Sequence, residues 1–169
     1  MRGQNLRIPR HHRHASVSIG FIVLRQLFTD DEHWRWRVRR AGDHLQIILP
    51  VITLGAILWR DNELLALFLM SLVLNSVLTH GLKYLIRRRR PLGGPRSFPS
   101  GHTATTMHCA AFMALQINLP LAIPLLLAAI FVGASRVIVR KHFTGDVIAG
   151  AILGIGTAML APWLYAMIF

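Results

Sequence analysis

Three short stretches of this 169-residue chain hold the groups needed to bind a phosphate and pass it to a histidine: Lys83 with Arg90-Pro91, then Pro99-Ser100-Gly101-His102, then Ser135-Arg136 followed by His142 and Asp146. A phosphate monoester carries up to two negative charges, and its transfer spreads charge over the equatorial oxygens in the transition state. Arg90 and Arg136 offer forked donors for that anion, and Lys83 a point charge. Ser100 and Gly101 stand where an apolar helix would begin, so a hydroxyl, close backbone approach and free N–H groups can complete an oxyanion cradle there. His142 and Asp146 are four residues apart, a spacing that lets the carboxylate accept a proton from one ring nitrogen while the other attacks phosphorus. The product would be a phosphohistidine. His102, on a different helix end, is suited to protonate the leaving alkoxide and then to activate water. Lysine and arginine already supply the positive field, so the scheme calls for no metal and no cofactor.

Positioning these groups falls to long apolar elements. Hydrophobic residues make up 53% of the chain and the mean hydropathy is +0.47, too apolar for an ordinary soluble domain of this size. Residues 1–15 are basic and histidine-rich, and Ser16–Phe28 is an apolar stretch shorter than a spanning helix needs. Residues 29–43 mix acids, arginines, Trp34 and Trp36, a composition suited to the headgroup region. Apolar segments then run over 45–59, 64–86, 103–117, 121–139 and 144–169, separated by polar turns, Pro or Gly. Backbone satisfaction in lipid makes them helices. The expected fold is all-α, an integral membrane bundle of five transmembrane helices, with Ser16–Phe28 a candidate sixth. The expected division is a basic tail and interfacial or tilted helix over 1–43 and a membrane-embedded domain over 44–169. Hairpin connectivity puts the end of the second segment, the start of the third, the end of the fourth and the start of the fifth on one membrane face, which is where the three stretches lie. Gly150 and Gly154 have the four-residue spacing that lets helices approach closely.

Duller roles suit many neighbours. Arg87, Arg88 and Arg89 read as a charged helix end, His80 and His108 as satisfied core or interfacial groups, Asn75 as an interhelical hydrogen bond, and the single Cys109 as a small core residue. The cluster His11-His12-Arg13-His14 lacks a second set of ligands for a metal.

The pattern of Lys83, six residues, Arg90-Pro91, then Pro99-Ser100-Gly101-His102, then Ser135-Arg136, five residues, His142, three residues, Asp146 resembles the three-part signature of the type 2 phosphatidic acid phosphatase (PAP2) family. That family shares its site with vanadium-dependent haloperoxidases. The resemblance covers residues 83–146 without a departure at any signature position. It implies an integral membrane enzyme removing phosphate from lipid phosphates or diphosphates, such as undecaprenyl diphosphate, phosphatidic acid, phosphatidylglycerol phosphate or a lipid A phosphate. In it His142 would be nucleophile, His102 acid and base, and Asp146 the partner that orients His142. Such enzymes usually have six spans, one more than this chain plainly offers.

Two other functions stay open. A lipid acceptor in place of water would make the enzyme a lipid-to-lipid phosphotransferase, and without catalysis the chain would be a basic membrane anchor. The net charge of +12 has no nucleic-acid module behind it. The expected partners are therefore a phosphorylated lipid and a membrane, and the expected location a bacterial inner membrane. All Lys and Arg except Arg60 fall on the site's side of a five-span arrangement, which the positive-inside rule would make cytoplasmic. Ser16–Phe28 as a sixth span would instead turn the site to the periplasm or exterior, as is usual in the family.

Overall fold

A computed structural model of the chain describes residues 13–60 and 62–168, with side chains from Glu32 onward. The basic tail before Arg13, with His11 and His12, lies outside the described residues. Five α-helices follow in order: α1 (Arg13–Arg60), α2 (Leu64–Ile86), α3 (Gly101–Phe112), α4 (Leu119–Ile138) and α5 (Thr144–Ile168). A π-helical turn, Met113–Ile117, prolongs α3. The chain divides into two compact units at Trp36. Residues 13–36 of the first are helical, and the second, Arg37–Phe169, contains the site.

Among the described residues, four helices are long and apolar enough to cross a membrane: Glu32–Arg60 within α1, α2, α4 and α5. The protein is thus an all-α integral membrane protein with four candidate spans. The third apolar segment is helical as expected, but α3 is only 12 residues long and is the interior helix, packed against α2, α4 and α5. The charged stretch before Leu45 does not form a separate element. No proline and only Gly42 interrupt it, so helix propensity carries it without a break into the span.

Each helix stops where its sequence changes. Arg87 closes α2 in the left-handed conformation at φ 48°, and the following loop turns through Gly93 and Gly94 at φ 82° and 90°, values that favour glycine. Asn118 caps α4, its Oδ1 accepting from Leu121 N–H at 3.2 Å. Large apolar side chains such as Val73, Leu127, Ile152 and Trp163 face outward, as a lipid surround allows. The interior is built from Phe68, Phe112, Ala104, Cys109, Ala129 and Ala158.

Close approach of α5 to α3 sets the site's dimensions. A Cβ at Gly150 would lie 2.5 Å from the Ser100 carbonyl, and one at Gly154 would lie 2.3 Å from that of Ala104. Both are far inside van der Waals contact, so only glycine permits this packing, and the four-residue spacing serves as expected. His108 is likewise a satisfied core group, between Ser71 Oγ at 3.3 Å and Thr157 Oγ1 at 3.0 Å. Asn75 differs from expectation: it is fully buried, and neither amide atom meets a protein partner.

Candidate active site

The end of α2, the start of α3, the end of α4 and the start of α5 surround one cavity of about 320 Å³, and Lys83, Arg90, Gly101, His102, Arg136 and His142 all line it. Six of the eight residues singled out from the sequence are thereby brought together. Ser100 and Asp146 lie behind the wall, both fully buried.

Gly101 opens α3. The helical ladder begins with Ala104 N–H donating to the Ser100 carbonyl at 3.0 Å, so the amides of Gly101, His102 and Thr103 have no helical acceptor and sit at the positive end of the helix dipole. Ser100 is engaged elsewhere. Its Oγ accepts from Thr103 Oγ1 at 2.9 Å, and its N–H donates to the Asp146 carbonyl at 2.9 Å, tying α3 to α5. The bond from Thr103 uses a lone pair of the Ser100 hydroxyl and not its proton.

Lys83 is fastened to the loop in front of α3, donating to the Pro99 carbonyl at 2.5 Å and to that of Arg96 at 3.3 Å. An ammonium has three donors, so one remains for the cavity. Arg136 is 3% exposed, and its Nε donates to Ser135 Oγ at 3.0 Å. Its Nη1 donates to Asp43 Oδ1 at 2.5 Å, and its Nη2 to the Arg39 carbonyl at 2.9 Å. Five N–H groups on a guanidinium leave two after these bonds.

The partner of His142 is reached through a third residue. His142 Nδ1 is 3.8 Å from Asp146 Oδ2, beyond hydrogen-bond range. Ser97 Oγ lies between them, 3.5 Å from His142 Nδ1 and donating to Asp146 Oδ2 at 2.5 Å. The carboxylate cannot come closer because it is otherwise committed. Asp146 Oδ2 also accepts from Phe143 N–H at 2.9 Å, the acidic half of a capping box at the start of α5. Asp146 Oδ1 accepts from Arg88 Nη1 at 2.9 Å. With Nδ1 turned to Ser97, Nε2 is the nitrogen left for phosphorus.

Burial pushes the His142 imidazole down to about 4, the fields of Lys83 and Arg90 add to this, and a backbone hydrogen bond with Ser97 and the Asp146 charge oppose it. The ring is therefore neutral at pH 7. Because this value is depressed below the ordinary 6.5, the nucleophilic form is present above about pH 4 and lost only as pH falls through it. No acid limb from His142 is expected in kcat/KM between pH 5 and 7, checked by a pH–rate profile.

Sequence reasoning missed three residues. Arg88, read as part of a charged helix end, is the counter-ion of a fully buried carboxylate and also lies 4.4 Å from the Phe143 ring centroid. Its sequence signal was hidden in a run of four arginines. Ser97, with Phe98, flanks the signature in a way typical of the family it resembles, but nothing in its spacing shows that it would stand between His142 and Asp146. Asp43, 59 positions before His102, has its Oδ1 3.0 Å from His102 Nε2. Arg88→Met is expected to lower stability by about 2 kcal/mol, the cost of leaving a buried acceptor group unpaired, read as a fall in thermal unfolding temperature in detergent.

Helical spans with a polar, cation-lined cavity at their ends define an integral membrane protein with a cavity whose charge suits an anion. Residues 93–169 match the family model of the PAP2 superfamily. It is 33% identical over 104 residues to the lipid A 1-phosphatase of Porphyromonas gingivalis, covering 59% of this chain and 23% of that protein. The chain thus spans under a quarter of the length of that curated relative. Its fold is similar to the crystal structure of Aquifex aeolicus LpxE, with a TM-score of 0.67 at 23% identity over 77% of this chain and 86% of that one. It is also similar to the first transmembrane PAP2 type phosphatidylglycerolphosphate phosphatase from Bacillus subtilis, with a TM-score of 0.59 at 24% identity over 81% of this chain and 77% of that one.

Proposed function

We propose that the protein is a membrane lipid phosphatase that hydrolyses a phosphate monoester or diphosphate of a lipid through a phosphohistidine. The observation that carries this reading is that two histidines from different helix ends, His102 and His142, share one cavity with Lys83, Arg90 and Arg136. Lys83, Arg90, Arg136 and the amides beginning at Gly101 hold the phosphoryl oxygens, with Ser100 shaping the turn that presents those amides. His142 Nε2 attacks phosphorus while Ser97 and Asp146 hold its Nδ1 side. His102 gives a proton to the leaving oxygen and then takes one from the attacking water. The cations stabilise charge that grows in the transition state, so the chemistry proceeds without a metal.

The lipid class follows from setting. A site at the ends of membrane helices meets phosphates carried by lipids, and the curated relative is a lipid A 1-phosphatase. We place the chain in a bacterial inner membrane, with α3 completing a five-helix core. The test of function is phosphate release by the purified full chain in detergent, from a panel of lipid monophosphates and diphosphates with EDTA present. Release that persists in EDTA is expected; no release from any lipid, or release that requires added divalent ions, overturns the reading.

A further inference from the structure

Asp43 belongs to none of the three signature stretches, and α1 lies outside the matched region 93–169. Yet its carboxylate sits in the cavity wall, with Oδ1 3.0 Å from His102 Nε2 and 2.5 Å from Arg136 Nη1. Its other oxygen, Oδ2, is 3.7 Å from Arg39 Nε. One carboxylate therefore touches both the proposed acid and a proposed phosphate ligand. The helix is shaped to bring it there. A Cβ at Gly42 would lie 2.2 Å from Arg136 Nη2 and 2.4 Å from Ser135 Oγ, so glycine beside Asp43 lets the α1 backbone reach Arg136, and the Arg39 carbonyl accepts from the same guanidinium at 2.9 Å.

We propose that Asp43 is a positioning residue for the reaction, holding His102 through Nε2 so that Nδ1 delivers and recovers the proton, and anchoring Arg136 beside it. The proposal rests on the phosphatase reading above. As the His142 Nε2–phosphorus bond forms, the bond from phosphorus to the lipid oxygen breaks with its electron pair on that oxygen, which takes the proton from His102 Nδ1. His102 is then neutral, with its remaining proton on Nε2 facing Asp43 and its Nδ1 lone pair free. In the second step Nδ1 takes a proton from water as the water oxygen attacks phosphorus, the phosphorus–nitrogen bond breaks, and inorganic phosphate leaves.

A carboxylate is needed because the other charges around His102 oppose its protonated form. Arg136 on α4, Arg90 after α2 and Lys83 on α2 are cations on the cavity wall, with His80, Lys141 and His142 facing the same space. Among these lining groups Asp43 alone is an acid. It favours the imidazolium that the first step requires, as an adjacent opposite charge does.

The decisive experiment compares wild type with Asp43→Asn and Asp43→Glu in three readouts: the pH profile of kcat, unfolding temperature, and the His102 ring titration followed by NMR in ¹⁵N-histidine-labelled protein. Asp43→Asn is expected to move the alkaline limb of kcat and the His102 midpoint to lower pH by about one unit. It should reduce kcat at pH 8 by about 10- to 100-fold, and Asp43→Glu should restore part of both. The idea is overturned if activity falls only in step with unfolding temperature while limb and midpoint stay put. Faster turnover with tighter vanadate binding in Asp43→Asn would also overturn it, because Asp43 would then be an anion occupying the phosphate's place. If wild type releases no phosphate from any lipid, the phosphatase reading fails, and the NMR midpoint by itself still decides whether Asp43 governs His102.

Discussion

His142→Ala is expected to lower phosphate release by at least about 10⁴-fold, in the range found when a covalent nucleophile is removed. Neighbouring groups cannot replace it. His102 is tied through Nε2 to Asp43, and the imidazole of His142 is held with Nδ1 toward Ser97. The cations and the α3 amides would survive the substitution and still bind the lipid phosphate, so KM should change far less than kcat. Wild-type enzyme quenched in alkaline detergent should carry a base-stable, acid-labile phosphate that the alanine variant lacks. Wild-type rates in the variant would remove the phosphohistidine from the mechanism.

Gly150→Ala is expected to lower the rate by about 10²-fold, although the residue does not line the cavity. The added methyl would sit 2.5 Å from the Ser100 carbonyl and 3.3 Å from Thr103 Cβ, and a backbone carbonyl cannot swing aside as a flexible side chain can. Separating α5 from α3 strains the bond from Ser100 N–H to the Asp146 carbonyl, which links the element presenting His102 to the one presenting His142. Overpacking of this kind costs about 2 kcal/mol, and a misplacement near 1 Å between reacting groups costs on the order of 10²-fold in rate. Gly156→Ala on the same helix is the control. Nothing lies within 4 Å of its Cβ position, so alanine there should be neutral or slightly stabilising through helix propensity. Unfolding temperature and kcat measured for both variants decide the matter, and equal behaviour of the two would refute the packing argument.

Much of the architecture could be read from local properties. Apolar segment lengths located α2, α4 and α5, and Asn118, Gly93 and Gly94 marked their boundaries. Extended apolar stretches have no alternative to helix in lipid, because every backbone group must find its partner within the segment. Segment length said less about α1. Its charged stretch is helical throughout, since nothing in residues 29–43 breaks a helix. The interior position of α3 was also not evident, because an apolar helix looks the same in sequence whether lipid or protein surrounds it.

By itself the sequence determined the membrane class, the ends of α2, α4 and α5 and six cavity residues, because the signature spacings coincide with segment boundaries and hairpin connectivity must return those ends to one face. Only the tertiary structure decided the supporting contacts. Ser97 and Arg88 share Asp146, Thr103 engages Ser100, and Asp43 joins His102 and Arg136 from 59 and 93 positions away. The physical reason is that periodicity and local propensity act over a few residues, whereas a buried carboxylate takes whichever donors packing delivers. Which arginine in the run at 87–90 would face Asp146 and which would line the cavity depended on where α2 ends and how the loop beyond it folds back.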